Sequence, residues 1–169
     1  MSRPARIYYW LVPCAEDATR YSKVISRLAA TQGAPLFTPH ASLAAIEGVQ
    51  PDLAPCLELL AGLEVEPLEI DMTDAFTMSL FVRIERHPAL LQARQYMQEQ
   101  PGAISSRDFD PHLSLCYGVP PQDAENWEAV RALLDQPIRF NRLNTVAIPP
   151  RVETYDDVRA WKALETHAF

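Results

Sequence analysis

The sequence predicts an α+β fold, and three observations carry that expectation. Runs rich in aromatic and β-branched residues alternate with segments of helical periodicity. The stretch Pro-His-x-Ser-Leu is written twice, at residues 39–43 and 111–115, each time inside a strand-like run. No Gly/Ser linker or charge block divides the 169 residues, so residues 1–169 are expected to form a single domain. Hydrophobic residues at 48% suffice for a core, and 22% charged residues are too few for a mainly disordered chain.

Taken in order, "RIYYWLVP" is aromatic and β-branched and stops at Pro13, which reads as a strand. "EDATRYSKVISRLAATQG" places Tyr21, Val24, Ile25 and Leu28 at helical spacing, with Gly33 as the stop. "LFTPHASLAAI" returns to strand character. "PDLAPCLELLAGL" reads as a second helix with Pro55 in its first turn. "VEPLEIDMTDAF" and "MSLFVRIER" are two strands joined by a short polar turn, and "HPALLQARQYMQEQ" is a helix ending before Pro101-Gly102. "PHLSLCYG" is a strand, "PQDAENWEAVRALLDQ" a helix starting near Pro121, and "IRFNRLNTVAI" a strand. The last segment, "DVRAWKALETHAF", fits either a helix or a strand; a strand is expected, since the sheets must close.

A formal net charge of −7 without a dense Lys/Arg run argues against tight binding to long duplex nucleic acid. It leaves room for a small phosphate held by a few groups in a cleft. Cys14, Cys56 and Cys116 are odd in number and form no CxxC pair, so they read as small buried hydrophobes in a reducing compartment. The N-terminus lacks a signal-like pattern and no run has the length of a membrane span. A cytoplasmic, monomeric protein without membrane contact is expected.

Residues two apart on a strand face the same side, so His40 and Ser42 point together, as do His112 and Ser114. Leu43 and Leu115, of opposite parity, turn to the core, while Pro39 and Pro111 favour a strand start or edge. The chain has four histidines, and two of them sit in stretches that match at four of five positions. His87 and His167 lack such a setting and read as structural or solvent-facing. Two imidazoles can serve as acid and base at one pH, and hydroxyls can donate to phosphate oxygens. A serine nucleophile and a zinc site are the rival readings. The first lacks a G-x-S-x-G elbow, and the second lacks a third ligand at familiar spacing.

The paired motifs resemble the two H-x-[ST] signatures of the two-histidine (2H) phosphoesterase superfamily. The likeness is greatest to small cyclic phosphodiesterases acting on 2′,3′-cyclic nucleotides and ADP-ribose 1″,2″-cyclic phosphate. It spans "YYWLVP", "TPHASL", "SLFVRI" and "DPHLSLCYG". The resemblance implies a bilobal fold of two antiparallel sheets, helices on their outer faces, pseudo-twofold related about a central cleft. It implies hydrolysis of the 3′ bond to leave a 2′-phosphate, with no cofactor and no metal. His40, His112, Ser42 and Ser114 are the implied catalytic residues; nothing local in the sequence separates the two rings, and His112 is taken as base and His40 as acid. Trp10 and Tyr117 are the implied substrate contacts. Tyr117, by simple alternation, falls on the wrong face unless the strand bends near Gly118, and Cys116 reads as a spacer. A phosphodiesterase or ligase acting on RNA ends, within RNA metabolism, and a non-catalytic nucleotide-binding module are the competing readings.

Overall fold

Alternation along the first strand, β1 (Arg6–Pro13), divides the protein into two sides. Tyr9 and Leu11 join the main core, whereas Trp10 and Val12 form a separate cluster with Val146 and Ile148. The computed structural model describes residues 6–106 and 108–169. After β1 comes α1 (Ala15–Gln32), which Gly33 closes in the left-handed conformation at φ 63°, its N–H donating to the Ala29 carbonyl. Then follow β2 (Ala41–Ile46) and α2 (Ala54–Leu60), with Pro55 in the first turn where it forfeits no helical hydrogen bond. The next strands are β3 (Glu64–Val65), β4 (Pro67–Asp71) and β5 (Leu80–Ile84), with a 3₁₀ turn at Phe76–Met78. The helix α3 (Pro88–Gln98) is capped by the ring of His87, whose Nδ1 accepts from the Ala89 N–H at 3.2 Å. The chain ends with β6 (His112–Cys116), α4 (Ala124–Arg131), β7 (Ile138–Ile148), α5 (Tyr155–Arg159) and β8 (Lys162–Ala168). The ambiguous final segment therefore contains both: the end of a short helix fixed by a Thr154/Asp157 capping box, then the expected strand.

All strand pairs are antiparallel, in the order β3-β7-β1-β2-β6-β5-β4, with β8 also on β7. The two antiparallel sets expected from the resemblance are there, β1, β2, β3, β7 and β8 in one and β4, β5 and β6 in the other. They are not separate, however. One pair, Ala41↔Leu113, joins β2 to β6 and makes a single eight-stranded sheet. The reason the seam is so short lies in the repeat. Continuing that register would set Pro111 opposite Leu43 and Pro39 opposite Leu115, and proline has no N–H to give a ladder.

The main core fills the space between one sheet face and the helices, which supply Tyr21, Val24 and Leu28 from α1, Cys56 and Leu60 from α2, and Leu90, Ala93 and Met97 from α3. Helix α1 straddles the seam, packing on β6 as well as on its own β1, and α3, which precedes β6, packs on β2. Cys56 and Cys116 are core spacers, whereas Cys14 is partly exposed and its thiol donates to the Asp17 carboxylate at 3.3 Å. Among the described residues, no helix is long and apolar enough to cross a membrane. The opposite sheet face is free of α1–α3 at the seam, and there the repeated motifs meet.

Candidate active site

Each copy of the repeat builds the same local device. Just after Pro39 and Pro111 the imidazole folds back on the backbone two residues before it. His40 Nδ1 lies 2.6 Å from the Thr38 carbonyl, and His112 Nδ1 lies 2.7 Å from the Asp110 carbonyl. A carbonyl only accepts, so Nδ1 carries the hydrogen in both rings and Nε2 of the neutral ring keeps its lone pair. The strand that follows then slips by one residue at the same place in both copies. Against β1, Tyr9 pairs with Ala44 and Trp10 with Ser42, leaving Leu43 extra; against β5, Leu80 pairs with Cys116 and Phe81 with Ser114, leaving Leu115 extra. These bulges turn two successive side chains, Leu43-Ala44 and Leu115-Cys116, into the core.

The second bulge resolves the parity of Tyr117. Plain alternation would put it opposite His112; with one residue absorbed, it returns to the His112 side and Cys116 goes to the core. Gly118 then takes φ 88°, donates its N–H to the Phe76 carbonyl, and leaves space for Tyr155, whose hydroxyl donates to the Tyr117 carbonyl at 3.2 Å.

Trp10, His40, Ser42, His112, Ser114 and Tyr117 all line one cleft of about 230 Å³. The two histidines differ in setting. His40 is 7% exposed and sits face to face on Trp10, ring centroids 3.5 Å apart and planes 12° apart. Burial lowers its pKa to about 4, more than the Thr38 carbonyl raises it, with a smaller push from His112 in the same direction as burial. His112 is half-buried and is backed differently. Phe81 touches it at 4.9 Å with planes 56° apart, and Arg83 is its cross-strand partner. Arg83 grips Asp110, two residues before His112, through two bonds of 2.8 and 2.9 Å, and also reaches Asp71 and Glu69. The Arg83 grip holds the Asp110 carboxyl below its ordinary range.

The hydroxyls face the same space. Ser42 is exposed, and Ser114, 7% exposed, donates to the Thr77 carbonyl at 3.2 Å. Burial pushes the Tyr117 phenol up, so it remains a proton donor at neutral pH. No Lys, Arg, Asp or Glu lines the cleft among the described residues. Nor do three His, Cys, Asp or Glu side chains gather there or elsewhere among those residues to hold a metal ion.

The sequence reading missed Trp161, Thr77 and Phe37. Trp161 lines the cleft and meets Trp10 edge-on at 5.3 Å and Tyr117 at 5.4 Å. It lies at the junction of α5 and β8, in the segment whose structure was ambiguous. Phe37 packs on Tyr117 at 4.7 Å and had a visible signal, since the repeat extends to Phe-x-Pro-His-x-Ser-Leu once Phe37 and Phe109 are aligned.

No family model matches the chain. A cyclic phosphodiesterase of Arabidopsis thaliana is 23% identical over 145 residues, 79% of this chain and 80% of that protein. Among solved structures, E. coli LigT complexed with 3′-AMP is similar with a TM-score of 0.53 and 18% identity, covering 98% of both chains. LigT complexed with phosphate gives 0.53 and 16% over 99% of this chain and 98% of that one. A structure described as a phosphoesterase gives 0.55 and 16% over 98% of each. The structural likeness establishes the fold, and together with the sequence likeness it supports the superfamily that the repeated motif resembles.

Proposed function

We propose that this chain, a two-histidine phosphoesterase, hydrolyses nucleoside 2′,3′-cyclic phosphates by imidazole acid–base catalysis without a metal. One observation carries the reading: two imidazoles remote in sequence share a tautomer and line one cleft. With Nδ1 engaged in each ring, Nε2 is the atom left for proton transfer. The Arabidopsis relative is named a cyclic phosphodiesterase and LigT has been seen with 3′-AMP, which together favour a cyclic phosphodiester on a small nucleotide. ADP-ribose 1″,2″-cyclic phosphate, which presents a comparable five-membered cyclic diester, is the second candidate substrate.

In this mechanism, water attacks phosphorus in line with the 3′ oxygen. His40 Nε2 takes a proton from the water as the new P–O bond forms. The P–O3′ bond breaks, and His112, which must enter this step as the imidazolium with a hydrogen on both nitrogens, gives its Nε2 proton to the departing 3′ oxygen and is left neutral, with a 2′-phosphate as product. Ser42, Ser114 and Tyr117 donate hydrogen bonds to the non-bridging oxygens, where charge builds. A base must be unprotonated when the reaction starts, and the burial of His40, which disfavours its charged form, suits it to that role. The acid is then His112, the more accessible ring. These roles are the reverse of those expected from the sequence, where nothing local distinguishes the two rings. Among the described residues the cleft is lined by no Lys or Arg, the side chains with which cationic grooves track a strand of RNA, and a small substrate suits that lining.

The test is phosphorus NMR of a 2′,3′-cyclic nucleotide incubated with the protein and a chelator. A 2′-monoester should accumulate. His40→Ala and His112→Ala should each lower turnover by about 10²–10⁴-fold, the usual worth of a positioned acid or base. Undiminished turnover in either variant would overturn the assignment. An oligonucleotide with a cyclic end, run alongside, should turn over no faster than the mononucleotide.

A further inference from the structure

Trp10 is the residue on β1 directly opposite Ser42, and its counterpart on β5, opposite Ser114, is Phe81. The two aromatic residues treat their histidines differently. Phe81 lies tilted against His112, whereas Trp10 lies parallel to His40 at a centroid distance of 3.5 Å. A platform for a nucleobase needs an open face of about the area of the base. Trp10 has none to offer: it is 5% exposed, one face is covered by His40, and Trp161 meets it edge-on. Its contact with the imidazole is the most intimate aromatic contact in the cleft.

We propose that Trp10 is a positioning residue for His40, its stacked indole fixing the plane of the imidazole while the Thr38 carbonyl fixes its tautomer. The inference rests on the proposed reaction and specifies how one of its two imidazoles is aimed. The hydrogen bond at Nδ1 and the Cβ–Cγ bond limit the ring's rotation but tolerate a range of tilts. A parallel indole narrows that range, holding Nε2 toward the cleft. The stack also covers one ring face from water. Attraction of an imidazolium to the indole face acts against that cover, but it is the smaller effect, since burial prevails and takes His40 down to about 4. Among the described residues, the titratable groups that line the cleft with His40 are His112 on β6, Tyr117 just after it, and Tyr8 on β1, while Arg142 on β7 lies beside Thr38 and Pro39 on the approach to it. None is a carboxylate that could stand in for the indole in controlling the ring's charge.

The experiment compares Trp10→Phe and Trp10→Leu with the parent protein. Its first readout is independent of activity: imidazole NMR across pH. The parent His40 ring protons should show a strong upfield ring-current shift. In Trp10→Leu that shift should vanish and the His40 titration midpoint rise by about one pH unit or more as water reaches the ring. Trp10→Phe, which keeps a ring in place and serves if the leucine variant does not fold, should show a smaller ring-current shift and a smaller rise in midpoint. The second readout is steady-state kinetics on a 2′,3′-cyclic nucleotide. For the leucine variant kcat should fall about tenfold or more while KM stays within about twofold, and the acid limb of the pH profile should move with the NMR midpoint. An unchanged His40 midpoint and ring-current shift in both variants would overturn the proposal. So would a rise in KM at constant kcat, the signature of a lost base platform. If the parent protein hydrolyses no cyclic phosphate yet the NMR differences appear, the reaction fails and the positioning stands.

Discussion

Replacing His40 by Asn should flatten the acid limb of the protein's stability. Asn cannot titrate, and its amide keeps a donor for the Thr38 carbonyl. In the folded protein burial holds His40 at about 4, whereas in the unfolded chain it titrates at about 6.5. Between those values the unfolded chain binds a proton that the folded protein refuses, so stability rises with pH across the window. The contribution is complete above about pH 6.5 and is lost as pH falls through 4. A gap of about 2.5 units at about 1.4 kcal/mol each amounts to about 3.4 kcal/mol, of which about 2.5 kcal/mol falls between pH 7 and 4.5. The carboxylates that Arg83 and other partners hold below their ordinary range are common to both proteins and cancel in the comparison. Urea unfolding followed at pH 7, 5.5 and 4.5 reads the difference. With a slope of about 2 kcal/mol per molar urea, the parent midpoint should drop by about 1 M more than that of His40→Asn over this range. Equal drops in the two proteins would refute the claim that His40 is buried uncharged.

Two further substitutions probe the supports of the cleft. Gly118→Ala places a methyl group 2.9 Å from the Tyr155 hydroxyl at φ 88°, so it should cost about 1–2 kcal/mol in thermal or urea unfolding and lower turnover by displacing Tyr117. Arg83→Met releases Asp110, whose carbonyl holds the His112 ring. Because these groups are partly exposed, stability should change by no more than about 1 kcal/mol, whereas kcat should fall about tenfold, with unchanged kcat as the contrary result.

Where local chemistry decides the structure, the sequence was readable. The periodicity of Tyr21, Val24, Ile25 and Leu28 with Gly33 after it defines α1 almost to the residue. The i, i+2 spacing of His and Ser likewise anticipates that each pair faces one way, and the six candidate residues do share a cleft. The bulges were not readable, because an extra residue at Leu43 or Leu115 is visible only against the partner strand; the face of Tyr117 was lost with them. The single seam pair has the same origin, since it depends on where two prolines fall in each other's register. The contrast between the histidines was also hidden: "TPHAS" and "DPHLS" are nearly alike, and only the stacked Trp10 and the gripping Arg83 tell them apart. Trp161 reaches the cleft through a helix-to-strand corner that periodicity could not locate.

The exchange of helices across the seam has a consequence for how the cleft can evolve or be engineered. Backbone pairing ties β2 to β6 at a single point, so the gap between the two imidazoles is gauged chiefly from behind, by α1 lying on β6 and α3 on β2. A bulkier side chain at Leu28 or Ala93, far from any phosphate, would act as a shim, prying the halves and widening the jaw on the opposite face. Neither half can be cut loose with its histidine correctly aimed, because each carries the buttress of the other.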